Sequence, residues 1–269
     1  MEGRLILYWI YDIPLWVGAL LFAAVFVGFS WLGLVLIRPW VRRHAADQPD
    51  WNQLIRAISA IFAVFYGVTL ALIAISAYQS FAATNQVVGR EAAALGTLYR
   101  DVSSYPDPIR GELQAMLRDY TRYVIKEAWP AQKRGVIPEE GTARVTAFQE
   151  RLLSFKPQTR AEVVLHAETI GQFGVFVDYR RQRLHSVSTG LPTVLWFVVG
   201  VGAVLNAVLT WLFDVKRLRV HLLLAGIVSL FVAQMVFMIV AMDNPFRGEV
   251  SVGSDAFQLV QRSLMDEDR

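Results

Sequence analysis

Cysteine is absent from this 269-residue chain. Disulfides, thiolate metal sites, iron–sulfur clusters and cysteine nucleophiles are therefore excluded. Charge is scarce as well. Asp, Glu, Lys and Arg make up 18% of the residues, against about 25% in ordinary soluble domains. The net charge is only +3, too small for a phosphate-binding footprint, so nucleic acid is not an expected partner. Catalytic signatures are also missing: there is no GxGxxG, Walker loop, HExxH or GxSxG. The histidines are His44, His166, His185 and His221. Glu162 and His166 stand at i, i+4, but two ligands without a third do not make a metal site. No metal, cofactor or enzymatic activity is expected.

What the chain has in excess is apolar length. Hydrophobic residues make up 55% of it, and four stretches carry no Asp, Glu, Lys or Arg: residues 14–37, 57–80, 191–213 and 222–242. Each is long enough to cross about 30 Å of hydrocarbon as a helix, which takes roughly 20 residues. A buried helix of a soluble fold would keep a charged stripe. The first stretch is too long for a signal-peptide core and has Glu2, Arg4 and Asp12 ahead of it. The expected fold is all-α, with four transmembrane helices in the lipid bilayer. Domains are expected at 1–80, a first membrane hairpin; 81–190, a helical extramembrane insert; 191–242, a second hairpin; and 243–269, a polar tail.

Tyr8, Trp9 and Tyr11 precede the first span, and Trp40 and Trp51 follow it; Trp196 and Trp211 stand near the ends of the third. Such aromatics favour the headgroup boundary. The two short loops are basic: Arg38, Arg42, Arg43 and Arg56 in one, Lys216, Arg217 and Arg219 in the other. Positive-inside logic puts both in the cytoplasm. The insert and both termini then lie outside, in a chain expected in a bacterial inner membrane.

The insert reads as helices separated by Tyr105-Pro106-Asp107-Pro108, Trp129-Pro130, a loop at 133–141 and Lys156-Pro157. The second membrane helix is expected to run on to about Ser103. The helix from Thr159 carries a heptad-like row, Val163, Ile170, Val177 and Leu184, with His166, Phe173, Arg180 and Val187 beside it. His166 and Arg180 are expected to pair with Glu162 or Glu168. Within the spans there is no carboxylate or Lys, which counts against a proton-coupled transporter. The second span instead has a hydroxyl stripe of Ser59, Tyr66, Thr69, Ser76, Ser80 and Thr84. Hydroxyls in that array either line a pore or pack against a neighbouring helix.

Several short motifs follow one another in a definite order. They are Phe65-Tyr66-Gly67-Val68, Gly89-Arg90-Glu91-Ala92, Leu98-Tyr99-Arg100, Pro106, Tyr120, Glu127-Ala128-Trp129-Pro130, Leu191-Pro192 with Trp196, and Asp243-Asn244-Pro245-Phe246-Arg247-Gly248. Over about 55–265 this order resembles the bacterial bestrophin-like family, whose namesakes, the bestrophins, are pentameric anion channels. That resemblance implies a homo-oligomer passing inorganic anions through a pore lined by the second helix. Ile58, Phe62 and Tyr66 repeat the four-residue spacing of the bulky bestrophin neck, with Thr69 and Ser76 further along the same face. The acidic run that clasps calcium in animal bestrophins is missing, leaving Glu249 and Asp255. In the insert, Glu91, Arg100, Glu127, Trp129 and Pro130 form a second motif, read as a carboxylate–arginine pin between helices. Bestrophins keep the corresponding insert cytosolic, opposite to the side the loop charges favour. The competing reading is a membrane sensor or scaffold that binds a ligand or partner through its insert.

Overall fold

The computed structural model describes residues 9–45 and 48–266, so Tyr8, Glu2 and Arg4 lie outside the described residues. Among the described residues every regular element is helical: α1 (Leu15–Ala45), α2 (Trp51–Ser103), α3 (Ile109–Tyr123), a π-helical turn (Val124–Ala128), α4 (Trp129–Lys133), α5 (Glu140–Leu153), α6 (Arg160–Val187), α7 (Thr193–Trp211), α8 (Leu218–Asp243), α9 (Asp255–Val260) and a second π-helical turn (Gln261–Met265). Four of them, α1, α2, α7 and α8, are long and apolar enough to cross a membrane. The chain is an integral membrane protein. α2 ends before the Pro106 and Pro108 pair, which cannot continue a helix.

The helices form two compact units. The first holds the described residues up to Ser80 together with Gly190–Asp243 and Gly248–Val250. Its contacts depend on aromatic donors reaching across helices. The indole of Trp211 donates to the Ser30 carbonyl at 2.8 Å and lies where a Cβ on Gly33 would stand. Trp31 donates to the Leu222 carbonyl at 2.9 Å, and Tyr11 to the Val240 carbonyl at 2.9 Å. Trp211, expected at the headgroup boundary, is thus buried inside the unit. The two basic loops meet at one end. Trp51 donates to Leu212 O at 2.7 Å, Asn52 and Asp214 exchange two hydrogen bonds of 2.9 Å, and Arg38 donates to Lys216 O at 3.0 Å.

The second unit holds Phe81–Thr189, Asn244–Arg247 and the described residues from Ser251 onward. Its core contains Leu95, Leu98, Leu113, Leu117, Phe148, Phe173 and Phe176. Phe246, Val252, Phe257 and Met265 are buried in the same core, so the stretch read as a polar tail is a folded part of this unit. α6 begins with a capping box: Glu162 N–H bonds to Thr159 Oγ1 at 3.1 Å, and the Glu162 carboxylate accepts from the Thr159 amide. Glu162 is therefore committed to the helix end. His166 instead meets the Tyr105 hydroxyl at 2.8 Å through Nδ1, and Arg180 donates to Thr142 Oγ1 at 3.1 Å. Neither pairs with Glu162 or Glu168. One row of the expected seam is displaced, while Phe173, Arg180 and Val187 of the row beside it are buried. Val163 and Ile170 are exposed, while Thr169, Phe173, Phe176, Arg180, Arg183 and Val187 are buried, at alternating four- and three-residue spacing. That row is the 3.6-residue period of a helix packed on a globular core.

Candidate functional site

The membrane part of α2 is covered on one narrow side only. Tyr66, Leu70, Ile73 and Ala77 are buried there, in a cluster with Leu191, Val199, Val232, Val236 and Ile239. The rest of that stretch is open: Ile61, Phe65, Val68, Leu72 and Ile75 recur at helical spacing and are all exposed, Phe65 at 70%.

The five residues expected to line a pore do not share one environment. Ile58 and Ser76 are exposed, Phe62 and Thr69 half-buried, and Tyr66 buried. The Tyr66 hydroxyl donates to the Val199 carbonyl of α7 at 3.0 Å. Its ring occupies the notch left by Gly202, where any Cβ would collide with it. Tyr66 is turned into its own protomer rather than toward an open face, because a phenol in hydrocarbon needs an acceptor and α7 supplies one. Phe62 stacks on Tyr66 at 5.4 Å between centroids. Thr69 Oγ1 donates to Phe65 O, within its own helix, at 2.8 Å.

The insert motif resolves differently from the expected pin. Glu91 is held by Arg183 of α6, with Nε at 2.5 Å from Oε2 and Nη2 at 3.0 Å from Oε1. Both side chains are buried, at 1% and 0% exposure. Arg183 Nη1 also donates to Gln132 Oε1 at 2.6 Å, and the Tyr120 hydroxyl donates to Glu91 Oε1 at 3.3 Å. The guanidinium lies 5.3 Å from the Trp129 ring centroid and 5.7 Å from that of Phe257. Burial pulls the Arg183 pKa down, but the Glu91 charge and hydrogen bonds outweigh it and hold the group above its ordinary value. Tyr120 is raised well above a normal tyrosine, first by burial and then by the Glu91 charge. Arg100 and Glu127 are exposed and take no part in an ion pair among the described residues. Trp129 donates to the Val252 carbonyl at 3.2 Å. Pro130 sits in the first turn of α4, where no N–H is needed.

The motif after the fourth span is a set of structural anchors. Asp243 Oδ1 accepts from the Leu191 amide at 2.5 Å. The Pro245 carbonyl accepts from Val252 N–H at 2.8 Å, and the Phe246 ring lies 5.6 Å from that of Trp129. Asn244, between them, bonds through its carbonyl to Arg247 N–H at 3.0 Å. Gly248 has φ +79°, a backbone state that side chains rarely accept. Glu249 accepts from the Leu15 amide at 3.2 Å, at the start of α1.

Comparison with known proteins adds the lineage. A family model described as the Bestrophin-like domain matches residues 24–257. No curated protein matches. Crystal structures of a bacterial bestrophin homolog from Klebsiella pneumoniae share the fold at low identity. A single-substitution variant superposes with TM-score 0.64 at 11% identity, covering 92% of this chain and 99% of that one. A second variant gives 0.62 at 12%, covering 90% and 97%. The structure phased with zinc gives 0.61 at 13%, again covering 90% and 97%.

Proposed function

Because the chain belongs to the Bestrophin-like family, we propose that several copies of it assemble around an axis as an ion channel, pentameric by analogy with bestrophins and selective for inorganic anions. The observation that carries this reading is the family match over residues 24–257; the membrane stretch of α2 is open over most of its circumference, as are those of α1 and α7. The α8 surface is incomplete in the same way. Gln234 is exposed within the apolar α8, between Phe231 and Met238, which are also exposed. A carboxamide facing hydrocarbon alone is unfavourable, and a neighbouring helix would relieve it.

In this reading Ile58 and Phe62 form the narrow point and gate by dewetting. Tyr66 holds the Phe62 ring from behind, and Thr69 and Ser76 line the wider part. The absence of any carboxylate or Lys in the spans suits passive conduction rather than proton coupling. The loop charges favour an extracytoplasmic insert in a bacterial inner membrane, which reporter fusions after Gly135 would test.

The deciding experiment is single-channel recording of purified protein in planar bilayers. Wild type should conduct chloride in preference to sodium, and Phe62→Ala should raise the unit conductance. Silence from both proteins at verified insertion would sink the proposal.

A further inference from the structure

The second unit holds a cavity lined by Tyr120, Tyr123, Gln132, Gly141, Arg180 and Arg183, among others. Its enclosed volume is only about 10 Å³, and it opens to solvent at its mouth. Three independent features of its wall are out of balance. First, Arg180 is 8% exposed, and no carboxylate lies within ion-pair distance of it among the described residues. Its polar partners are neutral hydroxyls, Thr142 Oγ1 at 3.1 Å and that of Tyr120. Arg183, on the same wall, is already neutralised by Glu91. The buried cluster of Glu91, Arg183 and Arg180 therefore carries one uncompensated positive charge, and an unpaired buried cation is strongly unfavourable. Secondly, the Tyr123 hydroxyl is buried with no hydrogen-bond partner. The Gly141 backbone stands beside it, yet even an amide donor there would leave the phenol proton without an acceptor. Thirdly, the wall includes Val124 and Ala128, the ends of a π-helical turn, a widening that is rare and recurs at functional sites.

What is missing from this wall is a small acceptor of negative charge. We infer that the cavity of Arg180, Tyr123 and Gln132 binds a monatomic anion of chloride size. The guanidinium supplies charge and N–H donors, the phenol supplies an O–H donor, and the Gln132 carboxamide lines the floor. The carboxylates on the surrounding elements, Glu127, Glu139 and Glu140, are exposed; the charges of Glu140 and Glu127 still reach Tyr123, so the anion is held on the Arg180 side of the phenol. Arg144, whose guanidinium stacks 4.2 Å from the Tyr123 ring centroid, is taken by Asp119. The site belongs to the insert, and its occupancy does not require the protein to conduct.

The test uses the whole purified protein in detergent. Thermal unfolding is followed in sodium chloride or bromide against sodium gluconate at equal ionic strength. A halide at roughly five times its Kd should raise the midpoint by about 2–4 °C. Arg180→Gln and Tyr123→Phe should each remove most of that rise, and the phenylalanine variant preserves packing should the glutamine variant fail to fold. Crystals grown in bromide should show an anomalous peak between Arg180 and Tyr123. A halide shift undiminished in Tyr123→Phe, or bromide density only at other places, would overturn the assignment.

Discussion

Arg183 Nε lies 2.5 Å from Glu91 Oε2, across 92 residues of sequence, with both side chains sealed from solvent. The pair joins α2 to α6, and Gln132 and Tyr120 share its remaining polar atoms. Removing one partner strands a buried charge, whereas removing both does not. Glu91→Gln or Arg183→Met should each destabilise the protein by about 3–5 kcal/mol. The double change Glu91→Leu with Arg183→Met should recover much of that loss. Denaturant titration in detergent reads all three. Glu127→Ala, at an exposed position, should stay within about 0.5 kcal/mol of wild type.

Tyr66 and Phe62 should separate by assay. Tyr66→Phe loses the bond to Val199 O and should cost about 1 kcal/mol of stability with little change in conductance. Phe62→Ala should change conductance more than stability. The Gly202 notch adds a third case. Gly202→Val forces the Tyr66 ring to move and should destabilise by about 1–3 kcal/mol. Gly200→Ala, with open space around it, should be tolerated. If Tyr66→Phe altered conductance as strongly as Phe62→Ala, the supporting role given to Tyr66 would be wrong.

The lack of native cysteine makes α2 directly mappable. Single cysteines at Ile58, Phe62, Thr69 and Ser76 should react with a membrane-impermeant, charged thiol reagent in proteoliposomes and reduce the current. Cysteines at Ile61, Val64, Val68 and Ile75, exposed on a face about a quarter turn away, should not react, because in this arrangement they meet lipid or a neighbouring subunit. The reverse pattern would turn the helix by about a quarter turn relative to the proposed pore.

Alkaline pH should weaken the second unit through Tyr120. Its folded pKa is raised above the unfolded value of about 10. Below that value the phenol is protonated in both states and its contribution is intact. As pH rises above about 10, the unfolded chain loses the proton first, so stability falls. Tyr105 and Tyr123 are shifted in the same direction, chiefly by burial. Unfolding midpoints measured from pH 9 to 11.5 should fall more steeply for wild type than for Tyr120→Phe.

The uncharged spans made the membrane helices legible, because hydrocarbon leaves little freedom in composition. The breaks at Pro106 and Pro157 were legible for a local reason, the missing amide and the restricted residue before each proline. Arg183 was not legible. It is one of 26 basic residues, and nothing beside it in sequence marks its partner 92 positions away. A faint signal existed: Thr169, Phe173, Phe176, Arg180, Arg183 and Val187 follow the helical period. The seam row through Phe173, Arg180 and Val187 lies on that face, whereas the row starting at Val163 lies on the neighbouring one. The burial of Tyr66 was hidden for a related reason. The hydroxyl stripe fixes a face of α2, but which helix covers that face depends on Gly202, more than a hundred residues on.

α7 has 19 residues, about 28 Å at 1.5 Å per residue, and both of its ends are tied. Asp243 holds the Leu191 amide just before it, and Ser30 holds the Trp211 indole at its close. α1 and α8, with 31 and 26 residues, can meet a thicker membrane by standing more upright. α7 has no length to spare. It therefore acts as the gauge of hydrophobic thickness, and in long-chain lipids the bilayer must thin around the protein rather than the protein stretch to meet it.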